Sequence, residues 1–191
     1  MSLRPLFAAF SYDQLGDLLF ARDAERTEAL VRQLGEEQRG ARGDFAARAQ
    51  AALRRLLTEN PQRDGPEDEA CVAAADLLVR RTPSYAACPE STAWKWSAFL
   101  ALLDDPRVKL ADEPRALLEA IAFGAPLFGD GFETEWGFYG YLLANQAQRL
   151  DAALGALDRD AIGPAAALVE ELRGWLSRAI DAGLDVWVLW S

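Results

Sequence analysis

Three acids and a run of aromatic rings stand together in the stretch "DGFETEWGFYGYL", residues 130–142. Asp130, Glu133 and Glu135 supply the carboxylates, and Trp136, Tyr139 and Tyr141 the rings, with Gly137 and Gly140 between them. Two carboxyls beside a ring-lined groove are the equipment of a glycan hydrolase, where one protonates the leaving oxygen and the other serves as base or nucleophile. Acids in a glycine-containing loop are more commonly solvated, and catalysis would require at least one of them to carry a shifted pKa. The alternating acids of "GDGFETE" do not supply the ligand offsets of a twelve-residue calcium loop.

The rest of the chain removes further chemistry. None of its 191 residues is a histidine, so the commonest general base and the commonest metal ligand are both missing. Ser-His-Asp and Cys-His catalysis and zinc sites that use His are excluded. The glycines form neither a G-x-x-x-x-G-K-[ST] phosphate loop nor a G-x-G-x-x-G turn after a strand. Cys71 and Cys88, the only two cysteines, fit neither a zinc site nor a disulfide scaffold and read as buried thiols. No cofactor and no metal are expected.

Charge and composition bound the partners. The 30 acids against 20 bases give a net charge of −10, which repels nucleic-acid phosphates and anionic lipid at long range and favours a basic partner. The same surplus serves solubility. A content of 51% apolar and 26% charged residues is that of a globular protein. No apolar run reaches the roughly 18 residues that would cross a bilayer. The opening "MSLRPLFAAFSYDQ" reads as folded structure and not as a secretory signal, so the expected location is cytoplasmic.

The elements that must position the aromatic stretch follow from periodicity. As extended chain, residues 136–142 place Trp136, Phe138 and Leu142 on one side and Tyr139 and Tyr141 on the other. Two readings follow. In one, the Trp side is core, the Tyr side is half-buried against a helix, and the glycines permit close backbone approach. In the other, the tyrosines and the acidic loop form an exposed interface patch. Trp175, Trp187 and Trp190 lie on core stripes, whereas Trp94 sits off the apolar face of its helix and is expected at the surface.

Around this stretch, "LRPLFAAF" (residues 3–10) reads as a strand and "SYDQ" as a capping box opening a helix over 12–21, with Tyr12, Leu15, Leu18 and Leu19 on one face. Asp23 caps a second helix carrying Thr27, Leu30, Val31 and Leu34, and a third carries Phe45, Ala49, Ala52, Leu53 and Leu56. Residues 58–69 are a Pro- and charge-rich loop. A fourth helix over 67–81 leads into a loop, "RTPSYAACPES", where Ser91 caps a helix bearing Trp96, Phe99, Leu100 and Leu103. A helix over 112–122 stops at Gly124. Leu143, Ala147, Leu150, Leu154 and Leu157 mark the next helix, and Pro164 opens another whose stripe runs from Leu168 to Ile180. After Gly183, "LDVWVLWS" is a C-terminal strand with Leu184, Val186, Val188 and Trp190 on one side and Trp187 and Leu189 on the other, so both faces should be covered. The expected architecture is α+β: one predominantly helical domain over 1–191 with a small sheet that includes both terminal strands.

The order "FGAPLFGD", "WGFYGYL", "LANQAQRLDAAL" and "VEELRGWLSRAIDAGLDVWVLWS" resembles an uncharacterised bacterial domain family, distantly similar to the YfbM-like proteins. The likeness covers residues 95–191 and, more loosely, "LFAAFSYDQLGDLL". It implies a small α+β protein with a short N-terminal strand, a "GYL" strand and a C-terminal strand after a long helix. The chain departs from it at Leu143–Gln146, where a Thr or Ser helix cap is expected. The resemblance implies no catalytic residue.

The functional expectation is a non-enzymatic protein-binding module for a basic protein, in the manner of an immunity-type toxin neutraliser. Its binding residues would be Tyr139, Tyr141, Trp136, Trp94, Asp130, Glu133 and Glu135. The alternatives are a His-free carboxylate enzyme using Asp130, Glu133 or Glu135, and a small-molecule sensor whose pocket is lined by Trp136 and Tyr139.

Overall fold

The computed structural model describes residues 4–58, 69–88, 95–124 and 138–190. In chain order these form β1 (Pro5–Phe10), α1 (Tyr12–Phe20), α2 (Ala24–Glu37), α3 (Phe45–Thr58), α4 (Glu69–Arg80), β2 (Ala86–Ala87), α5 (Trp96–Asp104), α6 (Asp112–Phe123), β3 (Phe138–Leu142), α7 (Ala144–Gly155), α8 (Arg159–Ile162), α9 (Ala165–Asp181) and β4 (Asp185–Trp190). The fold is α+β and mostly helical.

The four strands make one antiparallel sheet in the order β2-β1-β4-β3, so the two terminal strands are neighbours at its centre. They pair along their full length, from Pro5 opposite Trp190 to Phe10 opposite Asp185. Pro5 lacks an N–H to donate, and it sits at the first position of its strand, where that omission is tolerated. The register is set by side-chain alternation. Val186, Val188 and Trp190 enter one core with Phe7, Ala9 and Leu142, covered by α5, α6, α7 and α9. Trp187 enters the other with Ala8, Phe10 and Tyr139, covered by α1, α2, α3 and α4. The first half of the chain thus lies over one face and the second half over the other, and this double cover explains why β4 is apolar at nearly every position.

The tryptophans on the sheet and on α9 are structural, as their stripes predict. Trp190 donates its indole N–H to the Ile121 carbonyl at 2.7 Å, with Phe99 edge-on at 5.0 Å between ring centres. Trp175 stacks on Phe7 at 4.0 Å.

Several elements differ from expectation. The loop "RTPSYAACPES" contains β2, which pairs only Ala86 and Ala87 with β1 and is too short, and too rich in a weak strand former, to signal itself. Helix α8 is a single turn capped by Asp158. Tyr12 leaves the apolar face of α1 and is 36% exposed. The capping box at "SYDQ" is half formed. Ser11 accepts from the Gln14 N–H, but the Gln14 side chain accepts from the backbone N–H and hydroxyl of Ser84 and ties α1 to the turn before β2. Residues 136 and 137 and Ser91 lie outside the described residues.

The missing Ser or Thr at the start of α7 is replaced from a distance. Gln146 accepts from the Leu143 N–H at 2.9 Å, and Asp185 Oδ1 accepts from the Ala144 N–H at 2.8 Å. The other oxygen of the same carboxylate accepts from the Tyr12 N–H at 2.8 Å. One side chain at the start of β4 therefore satisfies donors at the N-termini of two helices that lie on opposite faces of the sheet, where negative charge is also favoured by the helix dipole.

Gly140 in β3 permits the closest backbone approach in this region, because a Cβ there would run into the Ala120 carbonyl of α6. That collision is with main chain, which a rotamer change cannot relieve. Gly140→Ala should therefore destabilise the protein by about 1–3 kcal/mol, read as a lowered denaturation midpoint. An unchanged midpoint would contradict the close approach of α6.

Candidate functional site

Tyr139 and Tyr141 are alternate residues of β3 and share one face of the sheet. Their surroundings differ. Tyr139 is only 1% exposed and stacks on Trp187 at 4.7 Å in the core closed by α3 and α4. It is a core residue and not an interface residue, because helices cover the strand at that point. Tyr141 is half-buried and stacks on Tyr12, with ring centres 5.6 Å apart and planes 16° from parallel. Burial, with smaller contributions from Tyr12 and Asp185, pushes the Tyr141 phenol above its ordinary pKa.

From Tyr12 the outer face of α1 continues through Asp13 and Asp17 to Phe20, all exposed. Phe20 is 70% exposed, the highest value of any large apolar side chain among the described residues. The helix carries two acids and no base. Beyond it, Arg22 is held at φ 47°, a left-handed backbone conformation uncommon for a residue with a Cβ, and Asp23 and Glu25 follow, exposed, at the start of α2. The result is a ridge on which two rings, at Tyr12 and Phe20, are interleaved with carboxylates. Its inner edge is fixed by the Tyr141 stack and by the Asp185 cap on the Tyr12 N–H.

A polar cluster lies beside Trp187, the partner of Tyr139 in its buried stack. Arg80 donates to Asp76 Oδ2 at 2.7 Å and to Glu37 Oε2 at 2.8 Å. The second Asp76 oxygen and the Trp187 indole N–H are both fully buried, and neither meets hydrogen-bond geometry among the described residues. Burial is the largest influence on Asp76 and pushes its pKa up, although Arg80, and to a smaller degree the approach of the Trp187 N–H, oppose it. A carboxyl with a raised pKa is a general-acid candidate. Here the oxygen is sealed from solvent, so the cluster is a polar tie between α4, α2 and the sheet.

Of the other expected binding residues, Trp94, Asp130, Glu133, Glu135 and Trp136 lie outside the described residues. Sequence reasoning overlooked Phe20. The signal was available: position 20 falls off the stripe formed by Leu15, Leu18 and Leu19, so a ring there points outward. Among the described residues, no group of three or more His, Cys, Asp or Glu could hold a metal ion, and no helix is long and apolar enough to cross a membrane.

The Asp76 environment sets a pH dependence. Its folded-state pKa is above the unfolded value, so between the two the folded protein holds a proton that the unfolded chain has released. The stability it contributes is fully present below the unfolded pKa and is lost as pH rises through the folded pKa. Asp76→Asn should flatten this part of the profile in denaturant unfolding from acidic to neutral pH. A carboxyl NMR titration placing Asp76 at or below the ordinary carboxylate range would refute the assignment.

No family model, no curated protein and no solved structure matches this chain.

Proposed function

We propose that this protein is a non-enzymatic, cytoplasmic binding module that takes a basic protein on the outer face of α1, as an acidic neutraliser takes a basic toxin. The observation that carries this reading is Phe20, a phenylalanine 70% exposed on a helix that has two acids and no base. Covering such a ring is worth about 2 kcal/mol of apolar burial to whichever partner supplies the cover. Exposed rings rimmed by polar groups are the usual anchors of protein interfaces.

The surrounding chemistry supports the same partner class. A net charge of −10 steers a basic protein toward the surface and disfavours nucleic acid. Tyr12 is already stacked on Tyr141, and its backbone is held by Asp185, so little ordering cost remains on this side of the interface. The absence of histidine from the chain takes away the commonest route to catalysis and agrees with a binding role.

The test is affinity capture at low salt with the wild-type chain and a folded Tyr12→Ala/Phe20→Ser variant, followed by binding kinetics on the purified captured protein. The expected partner is basic, its association rate falls steeply with added salt, and the variant loses roughly thirtyfold in affinity. Equal affinity for the variant, or association indifferent to salt, would contradict the reading.

A further inference from the structure

Tyr12, Gly16 and Phe20 follow one another along the outer side of α1 at intervals of four. Positions four apart are neighbours on a helix surface, so the stripe reads ring, gap, ring over about 12 Å of helix axis. Glycine in the body of a helix is unfavourable relative to alanine. Here the backbone is ordinary right-handed helix, and a Cβ added at Gly16 would meet no side chain and no other element within 4 Å. Packing among the described residues therefore does not require glycine at this position, in contrast to Gly140. Gly174 of α9 is equally open, but its neighbours at the same spacing are Glu170 and Arg178, opposite charges in place of two rings.

Two carboxylates border the gap. Asp13 stands three residues before Gly16 and Asp17 directly after it, and the two lie one turn apart, with Cβ atoms about 6 Å from each other. Both are exposed, and among the described residues neither is engaged in an ion pair. No base stands on α1 to neutralise them. One wall of the gap is already held, because the Tyr12 ring is stacked on Tyr141. Two rings with open backbone between them and two acids alongside match a side chain that has an apolar stem and a flat cationic head.

We propose that the basic partner of the α1 face inserts one arginine between Tyr12 and Phe20, with its aliphatic stem over Gly16 and its guanidinium donating to Asp13 and Asp17. This occupant rests on the α1 reading above and narrows it to the residue type that the surface selects. An arginine satisfies both acids through its fork of donors, and its plane can lie against a ring. A lysine brings a compact, strongly hydrated ammonium that lacks both the fork and the flat face. An acidic side chain would meet the two carboxylates and be repelled.

The probes are three acetylated and amidated pentapeptides with alanines around a central arginine, lysine or citrulline, the last being the uncharged isostere of arginine. Each is titrated into the full chain and followed by amide NMR shifts. The arginine peptide should shift the Asp13, Gly16, Asp17 and Phe20 amides and bind roughly threefold more tightly than the lysine peptide and roughly tenfold more tightly than the citrulline peptide. Gly16→Ala and Gly16→Leu install better helix formers, so both should raise the denaturation midpoint, with the folding equilibrium constant up roughly two- to fivefold. The same variants should lose the arginine peptide, Gly16→Leu more completely, so that a gain in stability accompanies a loss of binding. Citrulline binding as tightly as arginine, unchanged arginine affinity in Gly16→Leu, or no shifts at the solubility limit of the peptides would each overturn the proposal. Failure of the α1 reading itself looks different. A captured basic protein that Tyr12→Ala/Phe20→Ser loses and Gly16→Leu keeps overturns the arginine and leaves the α1 face standing, whereas one that both variants keep overturns the face as well.

Discussion

The Asp185 carboxylate accepts from the first turn of α1 with one oxygen and from the first turn of α7 with the other. Each helix begins with N–H groups that have no partner inside the helix, and both helices here draw one partner from the same side chain. Asp185 is the first residue of β4 and lies opposite Phe10, the last of β1. The register of the two central strands therefore determines where helices on both faces of the sheet begin. A slip of one residue would turn Trp187 out of its core and carry the carboxylate away from both donors.

The surface proposed for binding descends from this arrangement. With its first turn held, α1 buries Leu15, Leu18 and Leu19, and the angular spacing of the helix leaves Phe20 in solvent. The Tyr12 ring then rests on Tyr141, which belongs to the edge strand β3. Sheet, cap and ring stack all fix the same ridge, so its aromatic and acidic groups are presented on a rigid element.

Much of this was legible in the chain. The period of two in "DVWVLW" divides Val186, Val188 and Trp190 from Trp187, and the structure sends them into two different cores. The Asp23 cap and the stripe Thr27, Leu30, Val31 and Leu34 needed only local rules, and all four of those residues are buried. What escaped was long-range. Asp185 caps residues 173 and 41 positions away, and no local motif announces such a bond. Tyr139 and Tyr141 have the same type and share a face, yet one is core and the other half-buried. Periodicity reports the face of a strand and carries nothing about the extent of its cover.

The most direct measurement is native-state amide hydrogen exchange on Asp185→Ala, residue by residue. If one carboxylate ties both layers to the sheet, the first-turn amides of α1 and α7 should lose protection together, Tyr12 and Ala144 among them, while the middle of β1 stays protected. If only one of the two helices responds, or neither does, Asp185 is not the shared anchor and the placement of the α1 ridge must have another cause.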